Sequence, residues 1–205
     1  AAISSEMLQK ALRTDVAGTF NMTSVDGDTS TNDTLVIMAN GLAGNDTITT
    51  KGEDYQNFLD ALFYVCEFLA KKMAADGEGA TKLFTAKVIN AKTKAAAKVL
   101  AKSVITSSLT KAAVYGNDAN WGRILCAIGY AGVDIDVNKV DVHFSSAKGK
   151  ILVCKDGAGV DFSEEVAKEI LPQWRNVLSD KSTVNGYFRG PQLFLVCNNP
   201  FVKGI

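Results

Sequence analysis

The chain has 205 residues, and its 22 lysines and arginines balance its 22 aspartates and glutamates, so the formal net charge is zero. A neutral chain does not attract phosphates over long distances, which argues against nucleic-acid binding by bulk electrostatics. Hydrophobic residues make up 47% and charged residues 21%, as in globular proteins, and no window approaches the roughly 18 uncharged apolar residues of a membrane-spanning helix.

The N-terminal third of the chain predicts two helices and one strand. Ser4-Ser5-Glu6 is typical of a helix start, because a hydroxyl can accept a backbone N–H there and an acid faces the helix dipole. Residues 35–40 form an apolar run bounded by Gly41, which predicts a buried strand. In residues 54–75, apolar side chains recur at spacings of three and four, which predicts the longest helix. The first helix is expected to end near Phe20.

Helices and strands alternate irregularly in the remainder of the chain. The predicted elements are strands over 83–89, 111–115 and 193–197, helices over 91–107, 121–132 and 163–171, and a hairpin of 140–144 with 150–154. Together they predict an α/β or α+β fold in which helices cover a mixed sheet. A weak domain boundary near residues 107–116 would divide the chain into a core part, 1–110, and a C-terminal part, 111–205.

The cysteines and the single histidine limit the kinds of metal site and redox motif that the chain can contain. Cys66, Cys126, Cys154 and Cys197 are widely spaced in apolar contexts, and without a CxxC pair they predict neither a zinc knuckle nor a redox motif. We expect them to be buried free thiols in a cytoplasmic protein. His143 is the only histidine, which excludes a multi-histidine metal site within this chain. Its alternating strand pattern favours a structural role on the outer face of a sheet.

The acidic loop, residues 26–34, is the first segment that could carry a function. A calcium-binding EF-hand needs Gly at its sixth position and Glu at its twelfth, but counting from Asp26 these positions hold Thr31 and Ile37. Two interpretations stay open. The side chains could cap local backbone groups in a structural turn, or the loop could line a site at the end of a strand.

Two further segments combine turn residues with charge. In the Glu78 turn, residues 76–82, flanking glycines hold an acid on a constrained turn, but the spacing of a phosphate-binding loop is absent. Glu78 is either a solvated residue after a helix or a carboxylate that binds a substrate ammonium. Residues 116–123 are predicted to open a helix that is capped by Asp118 or Asn120, with free amides that favour an anion. Packing roles are favoured for the Trp and Arg side chains of this segment.

These three segments together resemble the bifunctional ornithine acetyltransferase/N-acetylglutamate synthase family of arginine biosynthesis. Their order and spacing are similar to those of the family's β chain over roughly residues 1–170. By position in the motif, the resemblance implies that Glu78 binds substrate. We expect further polar residues of the matching segments to support the site without touching the substrate. These residues are Asp28, Thr29, Thr31, Asn32, Asp33, Asn120 and Arg123.

The resemblance also implies a fold, a reaction and partners. The family packs mixed sheets between helical layers, in an architecture shared with DmpA-like enzymes. Its precursor cleaves itself into α and β chains, and the new N-terminal Thr, expected upstream of Ala1, takes the acetyl group from N-acetylornithine and passes it to glutamate. The α chain would supply the oxyanion hole and a lysine, and two or more copies of each chain would assemble. No metal or other cofactor is implied, although some members accept acetyl-CoA as a co-substrate.

The implied chemistry suits a chain that has one histidine, because an N-terminal Thr uses its own α-amine as the base. The family's closing substrate ligands are not placed on the tail, residues 190–205, and none is assigned there. Two alternatives stay open. The chain could be a catalytically silent fragment or scaffold that binds a partner, or it could belong to an N-terminal-nucleophile amidohydrolase or aminopeptidase.

Overall fold

The computed structural model describes residues 1–171 together with the backbone of residues 192–197. The chain divides into two compact units, Ala1–Gly77 and Glu78–Ile205, which are called unit 1 and unit 2 below. The sequence suggested a division at residues 110 and 111. That position lies inside a helix of unit 2, Ser108–Tyr115, whereas the division between the units follows the end of the longest helix.

Unit 1 consists of two helices and irregular segments. Helix α1 spans Ser5–Val16, a single 3-10 turn spans Phe20–Met22, and helix α2 spans Glu53–Ala75. The predicted N-terminal cap of α1 is confirmed, because Ser4 accepts a hydrogen bond from the backbone N–H of Met7. Helix α1 ends earlier than predicted. The Thr19 hydroxyl donates to the Asp15 carbonyl at 2.9 Å, which satisfies an acceptor that a longer helix would have used.

The small core of unit 1 lies between its two helices. Met7 and Ala11 of α1 pack with Tyr55 of α2, and Phe58 and Leu62 close the edge of this cluster. Burial of such side chains is the main stabilising contribution available to the unit. Ile3 and Ile48 form an isolated parallel bridge that fastens the N-terminal residues beside α2.

The strand predicted over residues 35–40 is wrong for this chain. These residues belong to no helix or strand, and Val36, Met38 and Ala39 are exposed. A strand requires a neighbour to which its backbone can bond, and the described residues of unit 1 supply none.

Unit 2 combines helices with a mixed sheet. Its helices are α3 (Lys94–Thr106), α4 (Ser108–Tyr115), α5 (Trp121–Gly129) and α6 (Glu164–Ile170), with a 3-10 turn at Val137–Lys139. Its strands are β1 (Thr85–Ile89), β2 (Val140–Ser146), β3 (Gly149–Lys155), β4 (Ala158–Gly159) and β5 (Gln192–Cys197).

The five strands form one sheet in the order β1-β5-β2-β3-β4. Strand β1 runs parallel to β5, and the remaining pairs are antiparallel. The predicted hairpin is confirmed, since β2 pairs with β3 from Ser146↔Gly149 to Val142↔Cys154. Helices α3 and α6 contact this sheet. The predicted class, mixed helices and strands with a mixed sheet, is therefore confirmed.

The core of unit 2 lies between the sheet and its helices. Phe144 and Val142 of β2 are fully buried and belong to the same cluster as Leu100 of α3, Ile124 of α5 and Ile170 of α6. The alternating burial along β2 explains the sequence pattern, because successive side chains of a strand point to opposite faces.

The strand predicted over residues 111–115 is wrong, because these residues lie in α4. Ser107 caps this helix by accepting a hydrogen bond from the backbone N–H of Thr110. Thr110, Ala113 and Val114 are buried at helical spacing. The apolar pattern of this short segment fits both the repeat of a helix and that of a strand, and the cap by Ser107 favours the helix.

The predictions for cysteine and histidine are confirmed only in part. Cys66 and Cys154 are buried free thiols, but Cys126 is exposed because it lies on the outer face of α5, and the side chain of Cys197 lies outside the described residues. His143 is half-buried on β2 between buried neighbours. Burial and the nearby Lys150 lower the pKa of His143.

Within residues 1–171 and the backbone of 192–197, no helix is long and apolar enough to cross a membrane.

Candidate functional site

Two of the three segments singled out in the sequence come together in unit 2. The Glu78 turn leads into β1, and residues 116–123 connect α4 to α5. A lysine of the first segment bonds to the second, as described below. The acidic loop, residues 26–34, belongs to unit 1 and is described separately.

Glu78 lies on a turn just after the end of α2. Its neighbour Gly79 has a φ of 69°, a left-handed conformation that glycine adopts without strain. The Glu78 side chain is exposed and makes no hydrogen bond or ion pair with the part of the chain that the structure describes. The carboxylate is therefore free to accept hydrogen bonds from a ligand.

Lys82 anchors the C-terminal side of this turn. Its ammonium group donates hydrogen bonds to the backbone carbonyls of Val114 and Tyr115, the latter at 3.2 Å, and to the side-chain carbonyl of Asn117. These three acceptors match the three protons of a lysine ammonium. They also lie at the C-terminus of α4, where the helix dipole favours a cation. Partial burial lowers the pKa of Lys82.

The acceptors of Lys82 are presented by a tight turn after α4. Asn117 has a φ of 58°, a left-handed conformation that asparagine tolerates better than most residues. The backbone N–H of Asp118 donates to the Ala113 carbonyl at 2.9 Å, which closes the end of the helix. The Asn120 amide in turn donates to the Asp118 carboxylate at 3.0 Å.

Asn120 and Arg123 then fix the start of α5. The side-chain oxygen of Asn120 accepts a hydrogen bond from the backbone N–H of Arg123, which confirms the predicted cap. The Arg123 guanidinium donates to the Leu109 carbonyl at 3.0 Å, so this side chain joins α5 to α4. Asn120 thus accepts a hydrogen bond from one of the backbone amides that could have bound an anion. The contact of Arg123 with Leu109 favours a structural role for the Arg123 side chain.

The acidic loop bonds mainly to itself. Asp26 accepts a hydrogen bond from the backbone N–H of Asp28 at 2.8 Å, and Ser30 accepts one from the backbone N–H of Asn32 at 3.1 Å. Thr34 donates to the Asn32 carbonyl. All of residues 26–34 are exposed, which includes the expected supporting residues Asp28, Thr29, Thr31, Asn32 and Asp33. In this unit the loop therefore acts as a chain of side-chain-capped turns.

The site as a whole presents the free carboxylate of Glu78 on a turn that Lys82 holds in place. Such a carboxylate can orient an ammonium group through charge-assisted hydrogen bonds. Among residues 1–171, no three His, Cys, Asp or Glu side chains cluster as metal ligands would. Sequence reasoning missed Lys82, whose only signal was a lysine placed between a turn and an apolar strand.

Comparison with known proteins identifies the family. A family model described as the ArgJ family matches residues 1–180. The chain belongs to the ArgJ family. The match includes all three segments discussed above and ends before the tail, residues 190–205, in which no substrate ligand was assigned.

Individual relatives agree with this assignment. The arginine biosynthesis bifunctional protein ArgJ 1 of Clostridium acetobutylicum is 50% identical over 188 residues, which are 92% of this chain and 46% of the relative. ArgJ of Caldanaerobacter subterraneus is 50% identical over 173 residues, or 84% of this chain and 43% of the relative. The crystal structure of ArgJ from Bacillus halodurans superposes with a TM-score of 0.82 at 41% identity.

This chain spans less than half the length of the curated ArgJ relatives it matches. The solved B. halodurans chain differs in this respect, since the match covers 96% of this chain and 84% of the solved one. The solved chain is therefore only slightly longer than this chain and much shorter than the C. acetobutylicum relative.

Proposed function

We propose that this chain is one part of a two-chain N-acetyltransferase that moves an acetyl group from N-acetylornithine to glutamate in arginine biosynthesis. The observation that carries the proposal is the match of residues 1–180 to the ArgJ family. The names of the relatives support it, because they describe bifunctional proteins of arginine biosynthesis.

In the proposed reaction, an N-terminal Thr that lies upstream of Ala1 is the nucleophile. Its hydroxyl attacks the acetyl carbonyl of N-acetylornithine, the C–N bond breaks, and ornithine leaves with the proton as the acetyl-Thr ester forms. The amine of glutamate then attacks the ester, which yields N-acetylglutamate and restores the hydroxyl. Oxyanion donors and a substrate-binding lysine would come from the α chain. No metal or organic cofactor takes part, and acetyl-CoA is an alternative acetyl donor.

The chain lengths support the two-chain arrangement. Curated ArgJ relatives are more than twice as long as the segment that matches this chain, whereas the solved ArgJ chain is of similar length to it. Cleavage of a longer precursor into two parts would produce this difference. We further propose a cytoplasmic location, where thiols such as the buried Cys66 and Cys154 stay reduced.

Within this enzyme, Glu78 is the proposed substrate-binding residue of this chain. Its exposed carboxylate has no partner among the described residues, and Lys82 fixes the end of its turn. Asn120 and Arg123 would maintain the helix ends behind that turn, and Asp28, Thr29, Thr31, Asn32 and Asp33 would shape the acidic loop of unit 1.

The test is acetyl transfer by the complete enzyme, with both parts expressed from one precursor. Radiolabelled N-acetylornithine should yield N-acetylglutamate, and a denatured sample taken without glutamate should retain one acetyl group on the Thr-led chain. Release of free acetate alone would indicate an amidohydrolase. A complete enzyme that neither transfers nor releases acetate would contradict the proposal and favour a silent scaffold.

The role of Glu78 is tested with Glu78→Gln, which removes the charge and keeps the shape. Loss of one charged hydrogen bond, about 1.5–3 kcal/mol, should raise KM for both N-acetylornithine and glutamate by roughly 10- to 150-fold. Glu169→Gln is the matched control, because Glu169 is also an exposed acid of unit 2. Unchanged KM values for both substrates in Glu78→Gln would refute the assignment.

A further inference from the structure

The Glu78 turn is held to the rest of unit 2 at few points. Glu78, Gly79 and Ala80 are exposed. Within residues 78–82, the only hydrogen bonds that reach other parts of the described chain are those that the Lys82 ammonium donates. Four residues span at most about 14 Å, so the position of Lys82 limits where the Glu78 carboxylate can lie. Whatever holds Lys82 therefore also restricts Glu78.

Asn117 is the side chain that holds Lys82. The other two acceptors of the ammonium group are backbone carbonyls, those of Val114 and Tyr115, which no substitution removes. The Asn117 side chain is half-buried, and its left-handed backbone, with a φ of 58°, sets the direction in which the side chain leaves the chain. The backbone N–H of Asn117 donates to the Val114 carbonyl at 3.2 Å. The side-chain acceptor is therefore fixed to the end of α4.

We propose that Asn117 is a positioning residue for substrate binding. Its side-chain carbonyl holds the Lys82 ammonium at the end of α4, and Lys82 in turn holds the Glu78 carboxylate where it meets the ammonium group of the substrate. Asn117 itself does not touch the substrate. The inference rests on the proposed function, and it adds a residue that sets substrate affinity through a contact made 35 positions away from Lys82 in the chain.

The substitution Asn117→Gly in the complete enzyme tests this role. It removes the side-chain acceptor and keeps the turn, because glycine adopts the left-handed conformation without strain. With one of the three acceptors of Lys82 lost, the Glu78 carboxylate is held less firmly, and KM for both N-acetylornithine and glutamate should rise roughly 3- to 10-fold. The value of kcat should stay within about twofold of the native value, because substrate that has bound meets the same reacting groups.

Three further variants separate positioning from a general loss of structure. Asn90→Gly is the matched control and should leave KM unchanged, because Asn90 is also left-handed, with a φ of 59°, but is exposed and does not accept from Lys82. Asn117→Asp keeps an oxygen for Lys82 and should keep KM within about twofold of the native value. In a Glu78→Gln enzyme, Asn117→Gly should change KM by less than about twofold, because its effect passes through the carboxylate that is already lost.

The outcomes distinguish this proposal from the proposed function. If Glu78→Gln raises KM but Asn117→Gly behaves like Asn90→Gly, the positioning role is overturned and the acetyltransferase stands. A fall in kcat without a rise in KM, or an equal loss in Asn117→Asp, would also overturn the positioning role. A native enzyme that transfers no acetyl group, or a Glu78→Gln enzyme with unchanged KM values, would refute the proposed function or its Glu78 assignment, and this inference with it.

Discussion

Lys82 provides the sharpest test of how the Glu78 turn is held. The substitution Lys82→Met keeps the aliphatic stem and removes the ammonium group that bonds to Val114, Tyr115 and Asn117. The carbonyls at the C-terminus of α4 would then lose their cation, and the turn after the helix would lose its link to β1. We expect a local loss of stability rather than unfolding of the whole unit.

The magnitude follows from the number and exposure of the bonds. Hydrogen bonds to a charged group contribute about 1.5–3 kcal/mol each. The contact with Tyr115 is exposed and adds little, whereas those with Val114 and Asn117 are partly buried. Two bonds at the lower end of the range give a loss of about 3 kcal/mol. This is an upper value, because water can reach the released carbonyls.

Native-state hydrogen exchange of the complete enzyme measures this loss at the right place. The amides of Gly116 and Asp118 bond to carbonyls of α4 and report opening of its C-terminus. A loss of about 3 kcal/mol corresponds to roughly 150-fold faster exchange. Lys92→Met, at an exposed lysine before α3, should leave these amides unchanged. Exchange accelerated less than about fivefold in Lys82→Met would show that the ammonium does not hold the turn.

Three further predictions concern packing and thiol chemistry. In Gly159→Ala, the new Cβ would lie 2.6 Å from the Trp121 ring, so the free energy of unfolding should fall by about 1–3 kcal/mol. Gly129→Ala is the control, because its Cβ would have no atom within 4 Å. Equal melting temperatures of the two variants would refute the predicted clash. Iodoacetamide at pH 8 should alkylate the exposed Cys126 and spare Cys66, since burial and Asp15 raise the pKa of the Cys66 thiol to about 12. The raised pKa of Cys66 also makes stability depend on pH, because between pH 9.0 and about 12 the folded state retains a thiol proton that the unfolded chain has lost. The free energy of unfolding should therefore fall as the pH rises through this window. In Cys66→Ala it should fall less steeply over the same window.

Local rules predicted the elements whose capping and packing both occur within this chain. Ser4 and Asn120 cap the helices that the sequence assigned to them, and Ser163 caps the helix that was predicted to begin there. The hairpin of β2 and β3 followed from two alternating runs around a short turn. In these cases the residue propensities, the hydrophobic pattern and the tertiary contacts all favour the same element, so the sequence of the segment itself is sufficient to predict it.

Residue type and position in the chain were sufficient to predict only part of the site. Glu78 stood out because glycines flank it, and the structure shows its carboxylate exposed. Lys82 did not stand out, because its role depends on carbonyls more than 30 residues away in the chain. Sequence spacing cannot reveal an acceptor of that kind, since it arises only when α4 and the start of β1 have been brought together.

The two apolar features of unit 1 show why a sound pattern can still mislead. The spacing in residues 54–75 predicted α2 correctly, but it implied one buried face that continues through Val65, Leu69 and Met73, which are exposed. The pattern of residues 35–40 predicted a buried strand, and the chain leaves it unpaired. Hydrophobic periodicity shows which side chains suit a regular element, but it does not show whether another part of the structure covers that element or pairs with it. For α2 the pattern therefore predicted the helix but not its exposure, and for residues 35–40 it predicted a pairing and a burial that the described residues do not provide.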